Sequence, residues 1–296
     1  MSAKLYPASP IKRRRATAGE MEERAQFLIA YAREHHPVTV RGLYYQCEVA
    51  GVPGIDKTEN SYSKVQHQVL ELRRQGRLPY RWIADATRRQ RRPYTCLNMA
   101  DALDDSVRTY RRSLWQDADA DVEIWCEKDA LAGVIDQVTM EYDVPLMVSR
   151  GFTSETFAFE AVDAYVGSGR PVMVYALYDF DRSGADAARS LKEKLYRFGM
   201  ERGVIVRFNL IGLTLDQIED WNLPTRPHKR ATTADRNWPH PYACELDAIP
   251  PDDLRTLVQD AIEQHLPADE LARLLRIEDL ERETMREFLS TWDGAA

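Results

Sequence analysis

PVMVYALYDFDRSGADAARSLKEKLYRF (171–198) joins an apolar run to an acidic pair and then to a helical pattern. Residues 171–179 carry almost no polar side chain, as a strand buried on both faces of a parallel sheet requires. From Ser183 the apolar positions return at helical spacing. The stretch therefore reads as one strand–turn–helix unit with Asp179 and Asp181 closing its strand. Gly184 lets the helix begin at once, with its first backbone N–H groups aimed at the acids.

Similar runs lie on either side: VEIWCE (122–127), PLMVS (145–149) and VIVRFNLIG (204–212), each expected to be a strand buried on both faces. The segments between them, ALAGVIDQVTMEY (130–142) and SETFAFEAVDAYV (154–166), read as helices. Such alternation predicts an α/β domain with a parallel, doubly wound sheet over residues 118–215. Glu127 closes the first strand as Asp179 and Asp181 close the third. Open parallel sheets carry their sites at the carboxyl ends of strands, so the three acids are expected to converge. Three carboxylates in one small volume repel each other unless a cation is present, and hard oxygen ligands suit Mg²⁺. Lys128 reads as a partner for phosphate or carboxylate.

The chain carries a net charge of −7, unevenly spread. Residues 1–115 hold 21 Lys+Arg against 12 Asp+Glu, or +9, and the remainder 19 against 35, or −16. A basic front half joined to an acidic back half suggests a DNA-binding module attached to a module with another task. A basic arm (1–16, with IKRRR at 11–15) precedes a capping box, Thr17 with Glu20, and an amphipathic helix that Pro37 ends. Residues 41–50 and 61–75 read as two more helices, 76–85 as a short hairpin, and 88–92 as a charge run. Three helices and a small basic wing resemble a winged-helix DNA-binding module over 17–115. Arg73, Arg74, Arg77, Arg81, Arg88, Arg89, Arg91 and Arg92 are its candidate phosphate contacts. Residues 216–296 form a loop and a helical C-terminal extension. Its 220–243 loop, with His228, Trp238 and His240, is expected to be disordered or purely structural, contact with DNA or a dimer mate being the alternative, and no chemistry is assigned to 245–251.

No apolar run approaches the roughly 20 residues that span a bilayer, and no signal core is present, so a cytoplasmic protein without membrane contact is expected. Cys47, Cys96, Cys126 and Cys244 lack CxxC spacing, which argues for reduced thiols and against a zinc site. No G-x-G-x-x-G follows any strand, which leaves nucleotide-dependent oxidoreductases without support.

TVRGLYYQ (39–46) lies in the basic half at the start of a helix. Arg41 precedes Tyr45 by one helical turn, on the same face. A phenol ionises only near pH 10, and a nearby guanidinium favours the phenolate. Tyr45 is thereby a candidate nucleophile toward a DNA phosphorus, with Arg41 stabilising the charge that develops.

Glu-Lys-x-Ala after one strand and Asp-x-Asp after another resemble the Toprim domain of topoisomerases, DnaG-type primases and OLD-family nucleases. A tyrosine-bearing winged-helix-like module followed by that domain resembles the topoisomerase VI A subunit and the meiotic double-strand-break transesterases, whose R-x-x-Y-Y motif TVRGLYYQ matches. The likeness covers roughly residues 17–215. It implies a type IIB topoisomerase A-subunit-like enzyme of compact, phage- or mobile-element type, acting on double-stranded DNA as a homodimer. It further implies Tyr45 as nucleophile, Arg41 as its support, and Mg²⁺ on Glu127, Asp179 and Asp181, with Glu127 either a ligand or a general acid/base. Each tyrosine would leave a 5′-phosphotyrosyl link, and the protein would be nucleoid-associated in a prokaryote or phage. Gly42 stands where the family often has an acidic residue. Few residues precede the first helix, so the segment through which A subunits engage an ATPase B subunit is expected to be reduced, and such a partner is not implied by this chain. Two rival readings are a Toprim-family nuclease using metal-activated water, and a non-catalytic DNA-binding protein.

Overall fold

The structure, a computed structural model, describes residues 16–84, 93–228 and 238–291. The basic arm up to residue 15, Arg88, Arg89, Arg91, Arg92 and residues 229–237 of the long loop lie outside the described residues.

Helix α1 (Ala18–His35) opens on the expected capping box: Thr17 Oγ1 accepts the Glu20 N–H at 3.1 Å, and the Glu20 carboxylate accepts the Thr17 N–H at 2.7 Å. Helices α2 (Val40–Val49) and α3 (Glu59–Arg74) are capped by Thr39 and Thr58, whose side chains take up amides that a helix start leaves open. The hairpin expected over 76–85 does not form among its described residues, 76–84. Tyr80–Trp82 is a single 3-10 turn and Ile83 makes one parallel bridge to Val38. Pro79 has no N–H to offer a ladder, and Leu78 and Ile83 are buried in the helical core instead. A helix that the periodicity passes over, α4 (Met99–Thr109), packs on the C-terminal helix.

The α/β part follows as β1 (Asp121–Cys126), α5 (Asp129–Glu141), β2 (Leu146–Val148), α6 (Glu155–Asp163), β3 (Val172–Leu177), α7 (Arg182–Arg202) and β4 (Val206–Gly212). The four strands are parallel, in the order β2-β1-β3-β4. The chain thus starts in the middle of the sheet and winds outward in both directions, which opens a crevice between the carboxyl ends of β1 and β3.

Side chains alternate across the sheet and divide the apolar residues between its two faces. Trp125, Val174, Ala176 and Tyr178 meet Ala158 and Val162 of α6 and Leu191 of α7. Val122, Ile124, Tyr175 and Leu177 meet Leu131 and Ile135 of α5 and Leu254 and Val258 of α9 (Pro251–Glu263). That second cluster continues without a break into Leu28, Leu43 and Val65 of α1–α3, so the helical layer and the sheet share one core. Two strands depart from expectation: β2 and β4 are the sheet's edges, β2 is only half-buried, and Arg207 and Asn209 of β4 are exposed. A polar residue at every second position suits an edge, where one face meets water.

Helix α8 (Leu215–Asp220), a two-residue antiparallel pair β5 (Arg226–Pro227) and β6 (Tyr242–Ala243), and α10 (Ala268–Thr291) complete the described chain. All four cysteines are free, and among the described residues no helix is long and apolar enough to cross a membrane.

Glu123 lies inside β1, only 3% exposed, and accepts a 2.7 Å hydrogen bond from the Trp125 indole. Burial pushes its pKa from 4.5 up to about 7, against the pull of the Trp125 and Tyr165 donors. Between those two values the folded chain keeps a proton that the unfolded chain releases, so stability falls as pH rises through this window. The loss amounts to roughly 3 kcal/mol. Glu123→Gln keeps the acceptor and removes the charge. Urea midpoints measured from pH 5 to pH 8 should fall more steeply for the wild type than for the variant; parallel profiles would refute the assignment.

Candidate active site at the carboxyl edge of the sheet

The β1–β3 register pairs Cys126 with Leu177, so Glu127 and Asp179 emerge side by side at the crevice. Glu127 N–H bonds to the Leu177 carbonyl at 3.0 Å, and Glu127 Oε2 accepts the Asp179 N–H at 3.0 Å. Asp181 takes the N-cap of α7, accepting the Gly184 N–H at 2.9 Å. Gly184 is dictated by contact: a Cβ there would sit 2.2 Å from the Asp179 carbonyl oxygen. The turn that presents both aspartates can therefore close only over a glycine.

A strap that the sequence left without a role crosses these acids. Residues Cys244–Ala248 run beside the acidic turn, with Phe180 and Cys244 exchanging backbone hydrogen bonds of 2.9 and 3.0 Å. The Leu246 N–H donates to Asp179 Oδ1 at 2.8 Å. Glu245 and Asp247 on this strap bring two more carboxylates to the site. Three cations answer them. Lys128 Nζ reaches Asp247 at 2.8 Å, Asp179 at 3.0 Å and Glu245 at 3.2 Å. Arg41 reaches Glu245 at 3.1 Å, while Arg226 reaches Asp181 at 3.2 Å and Glu245 at 3.3 Å. Thr39, the cap of α2, accepts the Gly42 N–H and donates to Asp247, each at 2.8 Å. The strap thus ties the start of the tyrosine helix to the sheet edge. Gly42 fits this contact, since a Cβ there would stand 3.2 Å from Thr39 Oγ1 and 3.6 Å from the Asp247 carbonyl. An acidic side chain at 42 would meet the strap and its carboxylates.

Burial pushes the Asp179 carboxyl up to about 7, with Glu127 adding to the shift and Lys128 opposing it. Glu127 is raised as well, by burial and by the charges of Asp181 and Glu245. Burial disfavours the charge on Lys128, but Asp247, Asp179 and Glu245 outweigh it and raise its pKa. The same cations, Lys128 and Arg41 foremost, hold Glu245 below the usual carboxylate value in spite of its burial.

Glu127, Asp179, Glu245 and Asp247 line a cavity of about 730 Å³ together with Arg41, Arg73, Lys128 and Arg150. Arg73 stacks on Tyr80 at 4.3 Å, and its buried Nε has no hydrogen-bond partner among the described residues. Tyr45 lines a neighbouring cleft of about 450 Å³ that shares Arg41, Tyr62 and Glu245 with the cavity. Arg41 does favour the Tyr45 phenolate, as expected, but it is outweighed in this geometry. Burial and the Glu245 carboxylate raise the phenol's pKa, and the pull of Arg41 and Lys128 is the smaller effect. Of the other candidate DNA contacts, Arg74 and Arg77 make surface ion pairs with Glu71 and Glu22, and Arg81 is exposed.

Compared with protein-family models and with curated proteins, the chain matches none. Among the described residues no three His, Cys, Asp or Glu side chains are grouped so as to hold a metal ion. The donors nevertheless suit Mg²⁺, which keeps waters and commonly takes only one or two carboxylates besides substrate phosphate. Glu127 Oε1 and Asp179 Oδ2 accept no hydrogen bond from the described residues, their partner oxygens being the ones engaged. Asp181 is turned toward Arg226 and the start of α7.

Gly184→Ala forces a methyl group onto the Asp179 carbonyl, and we expect it to lower stability by on the order of 3 kcal/mol. Gly19→Ala, where the nearest atom to a Cβ is 3.9 Å away, serves as the control and should be neutral or slightly stabilising. Equal urea midpoints for the two variants would show that the close approach at Gly184 is not a constraint.

Proposed function

We propose that this chain cleaves double-stranded DNA by Mg²⁺-dependent transesterification from Tyr45, as a Toprim-containing relative of the topoisomerase VI A subunit. The observation that carries the reading is the shared cavity. Glu127 and Asp179 of the sheet face Arg41 of the tyrosine helix across it, and Glu245 and Asp247 lock the two elements together. The parallel sheet, the acids at its switch point and the R-x-x-Y-Y helix beside them support this family rather than a general nuclease. The winged-helix likeness of the helical layer belongs to the same proposal.

In the reaction, Tyr45 Oη forms a bond to phosphorus as the P–O3′ bond breaks, and the phenolic proton is balanced by one delivered to the leaving 3′ oxygen. Mg²⁺, when bound, orients the scissile phosphate and neutralises charge on it. Glu127 and Asp179 hold that ion, or Glu127 carries the proton to O3′. Arg41 stabilises the equatorial oxygens, and Arg73, which lines the same cavity, seats a flanking phosphate. Tyr45 lines the cleft beside the acids rather than their own cavity, which supports a homodimer in which the tyrosine of one protomer serves the acids of its partner. Two such attacks leave a double-strand break with 5′-phosphotyrosyl ends. A cytoplasmic, nucleoid-associated protein follows from a DNA substrate.

The burial of Tyr45 and its raised pKa favour one rival, hydrolysis by metal-activated water with the tyrosine as packing. Supercoiled plasmid incubated with the protein and Mg²⁺, denatured and then digested with protease, separates the two. Transesterification predicts DNA that stays protein-linked until protease is added, no adduct with Tyr45→Phe, and a loss of about 100-fold with Arg41→Ala. Cleavage by Tyr45→Phe at the wild-type rate would establish the hydrolase instead.

A further inference from the structure

An ammonium group has three N–H donors and no acceptor. Lys128 Nζ donates to Asp247 at 2.8 Å and to Glu245 at 3.2 Å, and it stands in ion-pair contact with Asp179 at 3.0 Å. Three carboxylates thus surround the ammonium on the side where the side chain lines the cavity. Lys128 therefore acts on the acids and not on substrate. Asp179 is shared: one oxygen takes the lysine, and the other accepts no hydrogen bond from the described residues. A carboxylate that bridges two cations a few ångströms apart is the signature of two-metal phosphoryl-transfer sites. Charge points the same way. Five carboxylates (Glu127, Asp179, Asp181, Glu245 and Asp247) face the three cations Lys128, Arg41 and Arg226. With every group ionised, two negative charges remain, which one divalent ion neutralises.

We infer that the Lys128 ammonium occupies the place of a second divalent cation, bridging Asp179 to Glu245 and Asp247, so that the chain binds a single metal ion on Glu127 and Asp179. The inference rests on the metal-dependent reading proposed above and deepens it. Glu245 and Asp247 then belong to the lysine and make no contact with the metal. Lys128 is a positioning residue: it fixes Asp179 and ties the metal pair to the strap that carries Arg41.

The test is a count of bound ions, independent of cleavage. Mn²⁺ is titrated into the full chain at pH 8 without nucleic acid and followed by electron paramagnetic resonance of the free ion. We expect one Mn²⁺ per chain for the wild type and for Lys128→Arg. For Lys128→Met, which frees three carboxylates, we expect two. Two ions in the wild type, or one in a folded Lys128→Met, overturns the role of Lys128 and leaves metal-dependent cleavage standing. No ion in the wild type removes the metal-dependent reading itself. If Lys128→Met does not fold, Lys128→Gln is titrated in its place: two ions in that folded variant support the inference, and one overturns it.

Discussion

Carboxylates crowded at the carboxyl edge of the sheet repel one another, and the chain folds around that repulsion by bringing its own cations to the same place. Lys128 follows the strand that ends in Glu127, Arg41 comes from the helical layer, and Arg226 comes from β5. None of these groups could be buried alone, because an unpaired charge taken out of water costs several kcal/mol. Their mutual need therefore decides how the helical layer sits on the sheet. The shared core of α1–α3, α5 and α9 supplies attraction but little direction, since apolar contact is non-directional. The Thr39–Asp247 and Arg41–Glu245 bonds supply the direction, and they fix which face of α2 looks at the acids.

How much of this was legible in the sequence follows from the range of each interaction. The four strands, their parallel sense and the capping box of α1 could be read because each depends on residues within one short window. The position of Glu127 and Asp179 could be read as well, since a strand's end and a parallel neighbour place them by rule. Glu245 and Asp247 could not. They lie 118 and 120 positions beyond Glu127 in a segment without periodicity, and only the folded chain shows that Phe180 and Cys244 pair and carry them back. Their one local sign was a pair of acids flanking Leu246 just before two prolines, a pattern too common to carry chemistry. The hairpin over 76–85 was misread for the opposite reason: local composition suggested a wing, and the burial of Leu78 and Ile83 in a distant core overrode it.

The tyrosine shows where a pairwise argument from spacing falls short. Arg41 lies one turn from Tyr45, as expected, but Glu245 takes two bonds from the guanidinium, at 3.1 and 3.3 Å. A guanidinium already matched with a carboxylate is nearly neutral as seen by a third group, so burial dominates the phenol. On the proposed mechanism the phenolate thus forms only when the local charge changes, and a phosphate that draws Arg41 away from Glu245 makes such a change.

On the proposed mechanism the same electrostatics couple metal and nucleic acid. With its acids ionised the cavity wall carries excess negative charge, and a phosphate approaching Glu127 and Asp179 would be repelled. A divalent ion on that pair would reverse the sign of the field at the point where the phosphate arrives, and Arg73 and Arg150 line the same cavity. Each ligand then strengthens the other's binding by the same factor, because a coupling free energy is reciprocal. Asp179 adds a third participant, since its pKa of about 7 means that near neutral pH a proton occupies part of the sites a metal would take. Metal, proton and polyanion compete or cooperate through one carboxylate, and Lys128, held by three acids, keeps that carboxylate in place whichever of them is bound.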